Sequence, residues 1–467
     1  MASLTGTGTA APATSADHIY RQPTAAASYV LPSPAMSEEA DRRPRQQRLL
    51  PVPIIPVVLF LVAPFALFLF TSPDLQLPRI RIEYGRTPSA ERTSPPPVPG
   101  ADDSDEETRL PPPRQLTDPP YSLGTTAVSG YDARRAKWLR DNPRFPAFVA
   151  PGRPRVLVVT GSSPRRCGNA DGDHLLLRAF KNKADYCRAH GFDIFYSNAV
   201  LDAELSGFWT KLPILRALML AHPETELLWW ADSDAVFTDM LFEPPWDRYA
   251  AHNLVVPGWD DKVYVARSWL GINAGSFIIR NCQWSLDLLD AWARMGPRGP
   301  VRYEYGKVLG EALSDRPSYE ADDQSALVYL LVTQRGRWGG RTFLEGSYSL
   351  HGYWVDIVDR YEEMRRSRTP GAGGERWPLV THFVGCKPCG GRYASYDAAR
   401  CRRGMERALN FADDQILRLY GFEHESLNTT AVRRVRNETG GPLDAEDAEI
   451  GRLLHPTFRA GSRRRFT

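Results

Sequence analysis

Two aspartates, Asp232 and Asp234, follow directly after the apolar run from Leu227 to Ala231. A short run of this kind, rich in tryptophan, is typical of a strand that is buried on both faces. Open α/β sheets bind ligands at the carboxyl ends of their strands, and two carboxylates there need a positive partner. The pattern therefore predicts a hard divalent cation that carries a substrate diphosphate, because Mg²⁺ and Mn²⁺ bind carboxylate and phosphate oxygens.

The spacing of the aspartates is weak evidence by itself, since the chain contains two other Asp-x-Asp triplets. Asp103-Ser104-Asp105 lies in an acidic, proline-rich stretch, and Asp171-Gly172-Asp173 does not follow an apolar strand. We interpret these two triplets as solvated turns, and only the one at Asp232 as a site.

The elements that would position Asp232 and Asp234 follow from hydrophobic periodicity. Strands are predicted at Arg155 to Gly161 and Asp193 to Tyr196, separated by a helix that ends at His190. A second helix over Lys211 to Ala221 then precedes the apolar strand. This β-α-β-α-β order favours parallel strands with helices on both faces. Later segments predict strands at Asn253 to Val256, Ser276 to Ile279 and Val380 to Phe383, and a helix at Trp284 to Met295.

Other nucleotide-binding classes and nucleic-acid binding are disfavoured. The first predicted strand is not followed by Gly-x-Gly-x-x-Gly, and the chain contains no Walker sequence, which argues against dinucleotide oxidoreductases and P-loop kinases. The 467 residues carry a formal net charge of only +3. Without a basic patch that contains interleaved aromatic residues, this charge gives no reason to expect a nucleic-acid partner.

The N-terminal part of the chain carries a membrane signal. Leu49 to Phe70 is a run of 22 residues without a charge, long enough to cross about 30 Å of hydrocarbon as a helix. Four arginines precede it: Arg42, Arg43, Arg45 and Arg48. The positive-inside rule then places the N-terminus in the cytosol and everything after residue 71 across the membrane. A cleaved signal peptide is the alternative, but its apolar region would be shorter and nearer Met1.

The composition divides the chain into five parts. We predict a disordered cytosolic tail, a transmembrane anchor, a proline-rich luminal stem, a folded domain and a C-terminal tail, with bounds 1–48, 49–70, 71–124, 125–425 and 426–467. The stem is too poor in apolar residues to bury a core, and its prolines favour an extended spacer. Two sequons, at Asn428 and Asn437, predict glycosylation of the tail.

Six cysteines would lie in the secretory lumen, where disulfides persist. They are Cys167, Cys187, Cys282, Cys386, Cys389 and Cys401. The sequence does not choose among their possible pairings. A zinc site at Cys386-x-x-Cys389 with His382 and Cys401 is a further alternative, although an oxidising lumen favours disulfides or structural thiols.

A set of short sequence words, in one order over residues 130–425, resembles the plant xyloglucan xylosyltransferases and the related galactomannan galactosyltransferases. The matching words are Gly172-Asp173-His174, Phe180 to Lys183, Asp185 to Arg188, Trp229 to Thr238, Asn281 to Leu286, Asp322-Asp323-Gln324, Thr381 to Cys389 and Asn410 to Asp413. The resemblance implies a GT-A-like, Rossmann-type α/β nucleotide-diphospho-sugar transferase domain behind a type II Golgi membrane anchor. It also implies a UDP-sugar donor, Mn²⁺, and retaining transfer of xylose to O6 of glucose in a β-1,4-glucan.

The resemblance assigns a metal site to three residues. Asp232 and Asp234 would hold the metal, and His382 would complete its ligand set. By itself, His382 is interpreted as a structural histidine. The metal and the side chain of Lys387 would stabilise the charge that develops on the leaving diphosphate.

Asp322, Asp323 and Gln324 are the next candidates for chemistry. A retaining enzyme needs either a carboxylate nucleophile or a front-face route in which the diphosphate helps to take the acceptor proton. The trio would serve in either route or orient the acceptor glucose. The alternative interpretation is a helix N-cap followed by an acidic first turn.

The remaining candidates concern the donor and the sugars. Thr160, Gly161 and Ser162 are assigned to the uridine or ribose, with a plain tight turn as the alternative. Lys211 would face the donor phosphates unless it is a solvated lysine. The donor-binding set is completed by Ser233, Gly385 and Lys387. Three tryptophans would stack on sugars or belong to the core: Trp209, Trp259 and Trp269.

This chain differs from the family pattern at Asp171, Pro257 and Asp414, and the first two lie near the expected substrate regions. Several words favour the xylosyl branch, whereas Pro164 to Cys167 and Leu175 to Arg178 look like the galactosyl branch. The alternatives are therefore a galactosyltransferase that acts on a mannan, a non-catalytic subunit of a Golgi complex, or a membrane-tethered lectin. The predicted partners also include a homo- or hetero-oligomer with related glycosyltransferases.

Overall fold

A computed structural model of the protein describes residues 112–317, 319–367, 371, 377–389 and 396–435. The predicted cytosolic tail, the anchor, most of the stem and the sequon at Asn437 lie outside these residues. Across the described ranges, no helix combines the length and apolar character that a membrane span requires.

A six-stranded sheet forms the centre of the fold, in the order β4-β3-β5-β8-β7-β9. The strands are β1 (Phe148–Ala150), β2 (Arg153–Pro154), β3 (Val156–Gly161), β4 (Asp193–Ser197), β5 (Leu227–Ala231), β6 (Ala235–Phe237), β7 (Leu254–Pro257), β8 (Ser276–Arg280), β9 (Thr342–Glu345), β10 (Gly352–Tyr353), β11 (Val380–His382), β12 (Phe422–His424) and β13 (Val432–Arg434). β3 pairs in parallel with both β4 and β5, so the predicted parallel unit is confirmed.

The sheet is mixed rather than parallel throughout. β8 is antiparallel to β5 and to β7, and β9 is again parallel to β7. The sequence predicts β7 and β8 as strands but not their direction, because strand direction depends on the course of the connecting segments. The result is an α/β sheet in which β5 lies between a parallel and an antiparallel neighbour.

The central strand β5 is buried along its whole length, as its apolar sequence predicts. Leu228 and Trp230 pack into one hydrophobic cluster, while Leu227 and Trp229 pack into another. Side chains alternate across a strand, so each cluster lies on one face of the sheet. Because both faces are covered, this strand is accessible to solvent only after Ala231, at Asp232 and Asp234.

A second, three-stranded sheet begins just after the aspartates and has the order β10-β11-β6. β11 runs antiparallel to β6, with His382 opposite Ala235 and Thr381 opposite Val236. This register places His382 beside the residue that follows Asp234, although the two are far apart in sequence.

Helices cover the sheets. They are α1 (Tyr131–Asp141), α2 (Ala170–His190), α3 (Lys211–Ala221), α4 (Gln283–Ala293), α5 (Pro300–Ala312), α6 (Asp323–Thr333), α7 (Arg335–Trp338), α8 (Tyr361–Ser367) and α9 (Ala398–Leu417). α2 begins at Asn169, whose side chain accepts a hydrogen bond from Gly172 N, and ends at Gly191 in the left-handed conformation, as caps of these types favour. α2 packs against both α9 and β6.

Packed residues extend beyond the predicted 125–425 bounds on both sides. Tyr121 and Leu123 are buried in the core before residue 125, and Leu427 is buried after residue 425. Arg114 also forms an ion pair with Glu204. The end of the predicted stem therefore contributes to the folded domain.

Two disulfides join Cys167 to Cys389 and Cys386 to Cys401. Cys187 and Cys282 are free thiols. Because Cys386 and Cys389 bond to different partners, the alternative zinc site is excluded. Both disulfides instead fasten the segment that follows β11.

Candidate active site

Asp232, Asp234 and His382 converge at the carboxyl end of β5. Each offers one ligand atom, and these atoms lie within 4.8 Å of one another. His382 Nε2 is 3.2 Å from Asp234 Oδ1 and 3.9 Å from Asp232 Oδ2. Two carboxylate oxygens and one imidazole nitrogen form a donor set that fits a divalent cation. The three residues that the resemblance assigns to a metal are thus brought together by the fold.

The orientation of His382 follows from a hydrogen bond to Asn273. Gly275 N donates to Asn273 Oδ1 at 2.8 Å, which identifies that atom as the amide oxygen. His382 Nδ1 lies 3.2 Å from the same oxygen, and an amide oxygen can only accept, so Nδ1 carries a proton. In the neutral imidazole, Nε2 therefore carries the lone pair, and it is the nitrogen that faces the two aspartates, as a metal ligand requires.

Gly275 is required by close packing behind the cluster. A Cβ atom there would lie 2.1 Å from His382 Cε1 and 2.9 Å from Asp232 Oδ2. Any side chain at this position would displace one ligand or both.

Lys211 connects Asp323 to the candidate metal cluster, which is formed by Asp232, Asp234 and His382. The lysine is only 2% exposed, and its Nζ lies 3.4 Å from Asp232 Oδ1, 2.7 Å from Asp323 Oδ2 and 2.9 Å from Ala274 O. Burial by itself would lower the pKa of Lys211, but Asp232 and Asp323 raise it, so the amine stays charged. The alternative of a solvated lysine is wrong, and its ammonium contacts protein acceptors.

The Asp322-Asp323-Gln324 trio divides into a helix cap and two residues that face the site. Asp322 caps α6 by accepting a hydrogen bond from Ser325 N at 2.8 Å, and it pairs with Arg316 at 3.1 Å. The interpretation as an N-cap is therefore confirmed for Asp322. Burial raises the pKa of Asp323 to about 6, against the opposing effect of Lys211.

Gln324 joins the start of α6 to the segment before β8. Its Oε1 accepts a hydrogen bond from Ala274 N at 3.3 Å, and its Nε2 donates to Trp269 O at 3.0 Å. Asp323 reaches the same segment through Lys211, which donates to Ala274 O. Both residues are thus in place to act beside the metal cluster, and their catalytic role stays a prediction.

The residues assigned to the uridine lie at the carboxyl end of β3, the strand next to β5. Thr160 is buried, and its hydroxyl lacks a hydrogen-bond partner among the described residues. Gly161 packs so closely on β4 that a Cβ atom would lie 2.3 Å from Ser197 O. Ser162 Oγ lies 2.6 Å from Tyr196 Oη. A ligand hydrogen bond would satisfy the Thr160 hydroxyl, which is compatible with the predicted role.

The segment after β11 carries two more predicted donor residues. Gly385 has a φ of +84°, a conformation that favours glycine, and Lys387 is exposed. The disulfides at Cys386 and Cys389 lie on either side of Lys387. Lys387 therefore lies between two cross-linked cysteines, five residues after His382, which ends β11.

The three tryptophans that were candidates for sugar stacking differ in burial. Trp209 is fully buried, so the core interpretation is confirmed for it. Trp259 and Trp269 are half-buried. Trp269 lies beside Tyr319, with ring centroids 6.5 Å apart, and its carbonyl binds Gln324. Sugar stacking by Trp259 or Trp269 stays a prediction.

The positions that differ from the family pattern have structural partners. Asp171 forms an ion pair with Arg402 of α9. Asp414 accepts hydrogen bonds from His424 N at 2.6 Å and from His424 Nδ1 at 2.9 Å. Pro257 is buried at the end of β7. The two aspartates thus join α9 to its neighbours rather than contact the metal cluster.

Sequence reasoning did not assign Lys183, Trp230 or Asn273 to the site. Trp230 Nε1 donates to Asp232 Oδ1 at 2.5 Å, and Lys183 Nζ donates to Ala235 O at 2.6 Å. One signal was available, because Lys183 stands at helical spacing between the buried residues Ala179 and Cys187. A lysine on the apolar stripe of a helix needs a polar partner.

A mixed α/β sheet with two aspartates and a histidine at the end of its central strand is a site suited to substrates that carry phosphate. Residues 152–393 match the model of the galactosyl transferase GMA12/MNN10 family, and the chain belongs to this glycosyltransferase family. It therefore takes a nucleotide-sugar donor and a carbohydrate acceptor.

Two plant relatives cover most of the chain. Probable glycosyltransferase 4 of Oryza sativa subsp. indica is 67% identical over 458 residues, which are 90% of this chain and 95% of the relative. Xyloglucan 6-xylosyltransferase 1 of Arabidopsis thaliana is 59% identical over 359 residues, which are 77% of this chain and 76% of the relative.

Solved structures are more distant. A glycosyltransferase involved in the glycosylation of the major capsid of PBCV-1 is 14% identical, with a TM-score of 0.33, and the alignment covers 54% of this chain and 99% of that one.

Proposed function

We propose that this protein is a retaining xylosyltransferase that transfers xylose from UDP-xylose to O6 of glucose in a β-1,4-glucan, as in the synthesis of xyloglucan side chains. The observation that carries the proposal is the convergence of Asp232, Asp234 and His382 at the end of β5. It occurs in a chain that is 59% identical to a xyloglucan 6-xylosyltransferase. A GT-A-type domain is part of the proposal.

Mn²⁺ is the proposed metal, with Asp232, Asp234 and His382 as its protein ligands. One nitrogen among oxygens is acceptable to Mn²⁺, and the proton on Nδ1 leaves Nε2 of His382 free to coordinate. When bound, the cation would neutralise charge on the leaving diphosphate.

Side chains around the cluster would bind the rest of the donor. Lys387 is exposed and held close to β11 by the disulfides, and it would contact the diphosphate. Thr160, Gly161 and Ser162 would receive the uridine or ribose, with the unpaired Thr160 hydroxyl as a hydrogen-bonding group. Ser233 and Gly385 would approach the donor through their backbones.

The route to retention follows from the partners of the two aspartates in the trio. Asp322 is engaged by Ser325 and Arg316, and Asp323 by Lys211, so we do not assign either as a nucleophile. The front-face route remains. The bond from C1 of xylose to the diphosphate breaks, the bond from C1 to O6 of glucose forms on the same face, and the O6 proton passes to the departing diphosphate. Asp323 and Gln324 would orient the sugars.

A galactosyltransferase that acts on a mannan is the second candidate, because the matched family model is described as galactosyl transferase. The two donors differ by one hydroxymethyl group, which a single pocket residue can accept or exclude. A non-catalytic subunit and a lectin are less well supported. Neither needs a buried lysine that joins a metal ligand to Asp323.

We also propose that the protein is a single-pass type II membrane protein of the Golgi apparatus, with its catalytic domain in the lumen. The two disulfides suit an oxidising compartment, and Asn428 of the first sequon is exposed. Glycosylation at Asn428 and Asn437 is part of this proposal.

The test is a comparison of donors and acceptors with the full-length chain. UDP-xylose and UDP-galactose are each supplied with cellohexaose or mannohexaose, with and without Mn²⁺, and the products are measured by mass spectrometry. We expect xylosylated cellohexaose only with Mn²⁺, and no product from Asp234→Asn, which keeps the size of the side chain but removes its charge. Galactosylated mannohexaose would support the second candidate instead. A folded protein that yields no product with any pair would contradict both.

A further inference from the structure

Lys183 is a buried lysine whose ammonium group lies behind the turn that carries the aspartates. The side chain is 1% exposed. Its Nζ donates to Ala235 O at 2.6 Å and lies 3.4 Å from Ser233 O. These carbonyls stand immediately before and after Asp234, so the lysine contacts the backbone of the turn on both sides of a metal ligand.

The position of Lys183 requires an explanation, because an ammonium group is costly to bury without compensation. Among the described residues, no carboxylate forms an ion pair with it. Burial lowers the pKa of Lys183 to about 8, and the charges of Asp234 and Asp232 oppose that shift from a longer distance. The direct compensation for burial is therefore the pair of turn carbonyls.

The neighbouring residue on α2 holds the next part of the same segment. Asn182 Nδ2 donates to Phe237 O at 2.8 Å, and Asn182 Oδ1 accepts from Phe237 N at 2.8 Å. Lys183 and Asn182 together bind the backbone from Ser233 to Phe237. This segment is also paired with β11, which carries His382, so α2 and β11 together determine where Asp234 lies relative to His382.

We propose that Lys183 is a positioning residue for the metal site. It holds the backbone around Asp234 so that the two carboxylates face His382 Nε2 before a cation binds. Lys183 reaches the metal ligands only through the backbone and does not contact the substrates. The inference rests on the proposed metal function, because it concerns the affinity of the same three ligands.

Two effects of Lys183 on metal affinity have opposite signs, and this makes the proposal testable. Its positive charge repels a cation, so removal of the charge by itself would tighten metal binding. Its hydrogen bonds to the turn organise the ligands, so their loss would weaken metal binding. The short contact with Ala235 O and the absence of an ion pair with either aspartate indicate that the second effect is larger.

The test measures Mn²⁺ binding to the full-length chain by electron paramagnetic resonance of free Mn²⁺. Lys183→Met removes the charge and the hydrogen bonds but keeps a side chain of similar size. Lys183→Gln removes the charge but keeps a hydrogen-bond donor. Lys181→Met is the matched control on the same helix, because the Lys181 side chain is 55% exposed and pairs with Asp185 and Asp413 away from the turn.

We expect Lys183→Met to raise the Kd for Mn²⁺ by about 10- to 100-fold, the usual effect of losing a group that orients metal ligands. Lys183→Gln should fall between Lys183→Met and the wild type, and Lys181→Met should match the wild type. Mn²⁺ should also raise the Tm of the wild type and the control more than that of Lys183→Met.

A Kd for Lys183→Met that is unchanged or lower would overturn the proposal. If Lys183→Met does not fold, a Kd for Lys183→Gln equal to that of the wild type would overturn it in the same way. A wild-type chain that does not bind Mn²⁺ would contradict the proposed metal itself. Failure of the metal proposal is thus distinguishable from failure of the role assigned to Lys183.

Discussion

Single residues without charge determine much of the geometry around the three proposed metal ligands. The oxygen of Asn273 selects the tautomer of His382 and thereby decides which nitrogen faces Asp234. Gly275 leaves the space that the imidazole ring occupies. Neither residue would bind a metal, yet both lie in the short segment that leads into β8. The chemistry of the three ligands thus depends on residues that only support them.

The substitution Gly275→Ala should disable the site without unfolding the chain. The added methyl group would lie within 3 Å of His382 and Asp232, so the imidazole must move and the ligand set is broken. We expect kcat/KM to fall by about 10- to 100-fold, as when a group that orients metal ligands is lost. We also expect half-maximal activity to require a higher Mn²⁺ concentration. Initial rates measured against Mn²⁺ concentration would show this.

Gly310→Ala is the control for that substitution, because a Cβ atom at Gly310 meets nothing within 4 Å. Its position inside α5 should make alanine slightly stabilising, by up to about 1 kcal/mol. A Gly275→Ala chain with wild-type Mn²⁺ dependence would show that His382 is not a metal ligand.

At the scale of elements, the segment after β11 carries Lys387 five residues beyond His382. This short segment has no regular secondary structure, and the two disulfides fasten it to the loop before α2 and to α9. Its order therefore depends on covalent bonds more than on backbone pairing. The two disulfides therefore hold the backbone around Lys387 in place, although the side chain of Lys387 is exposed.

Loss of the Cys386–Cys401 disulfide should weaken donor binding more than metal binding. The bond closes a loop with a sequence separation of 15, for which chain entropy gives about 3 kcal/mol of stabilisation. We expect Cys386→Ser to lower the free energy of unfolding by about that amount and to raise the KM for the UDP-sugar. The Kd for Mn²⁺ should change little, because His382 lies before the loop.

Donor kinetics and urea unfolding would measure both effects. The comparison is Cys282→Ser, which removes a free thiol and should leave the KM unchanged. An unaltered donor KM in Cys386→Ser would mean that this segment does not position the donor.

At the scale of the whole molecule, the folded domain includes residues that composition assigns to the stem. Tyr121 and Leu123 pack into the core, and Leu123 N donates to Asp290 of α4 at 2.8 Å. The proline-rich composition of the stem hides these contacts in the sequence, because two apolar residues among prolines show no periodicity. The folded domain therefore begins before residue 125.

A chain that begins at residue 125 should be less stable than one that begins at residue 112. Burial of two large side chains contributes about 3 to 6 kcal/mol, and the ion pair of Arg114 with Glu204 is lost as well. We expect a lower urea midpoint and less soluble protein for the shorter chain. Equal midpoints would show that residues 112–124 pack without stabilising the domain.

The local patterns in the sequence predict the parallel half of the sheet and the buried strand that ends just before Asp232. They also give the capping role of Asp322 as an alternative interpretation. These features depend on residues that are close in sequence, since the alternation of apolar side chains and the preferences of helix ends are local properties. The resemblance to a family added His382 to the metal site, because only its sequence context distinguishes it from a structural histidine.

Only the tertiary structure decides how distant segments meet. Three features depend on contacts between residues far apart in sequence. They are the antiparallel direction of β8, the register that places His382 opposite Ala235, and the pairing of four cysteines. The partners of Lys183 and Lys211 cannot be predicted from the sequence, because they lie on elements that pack against these side chains from elsewhere in the chain. The sequence by itself therefore determined which residues bring chemistry to the end of β5, whereas long-range packing decided which groups hold them there.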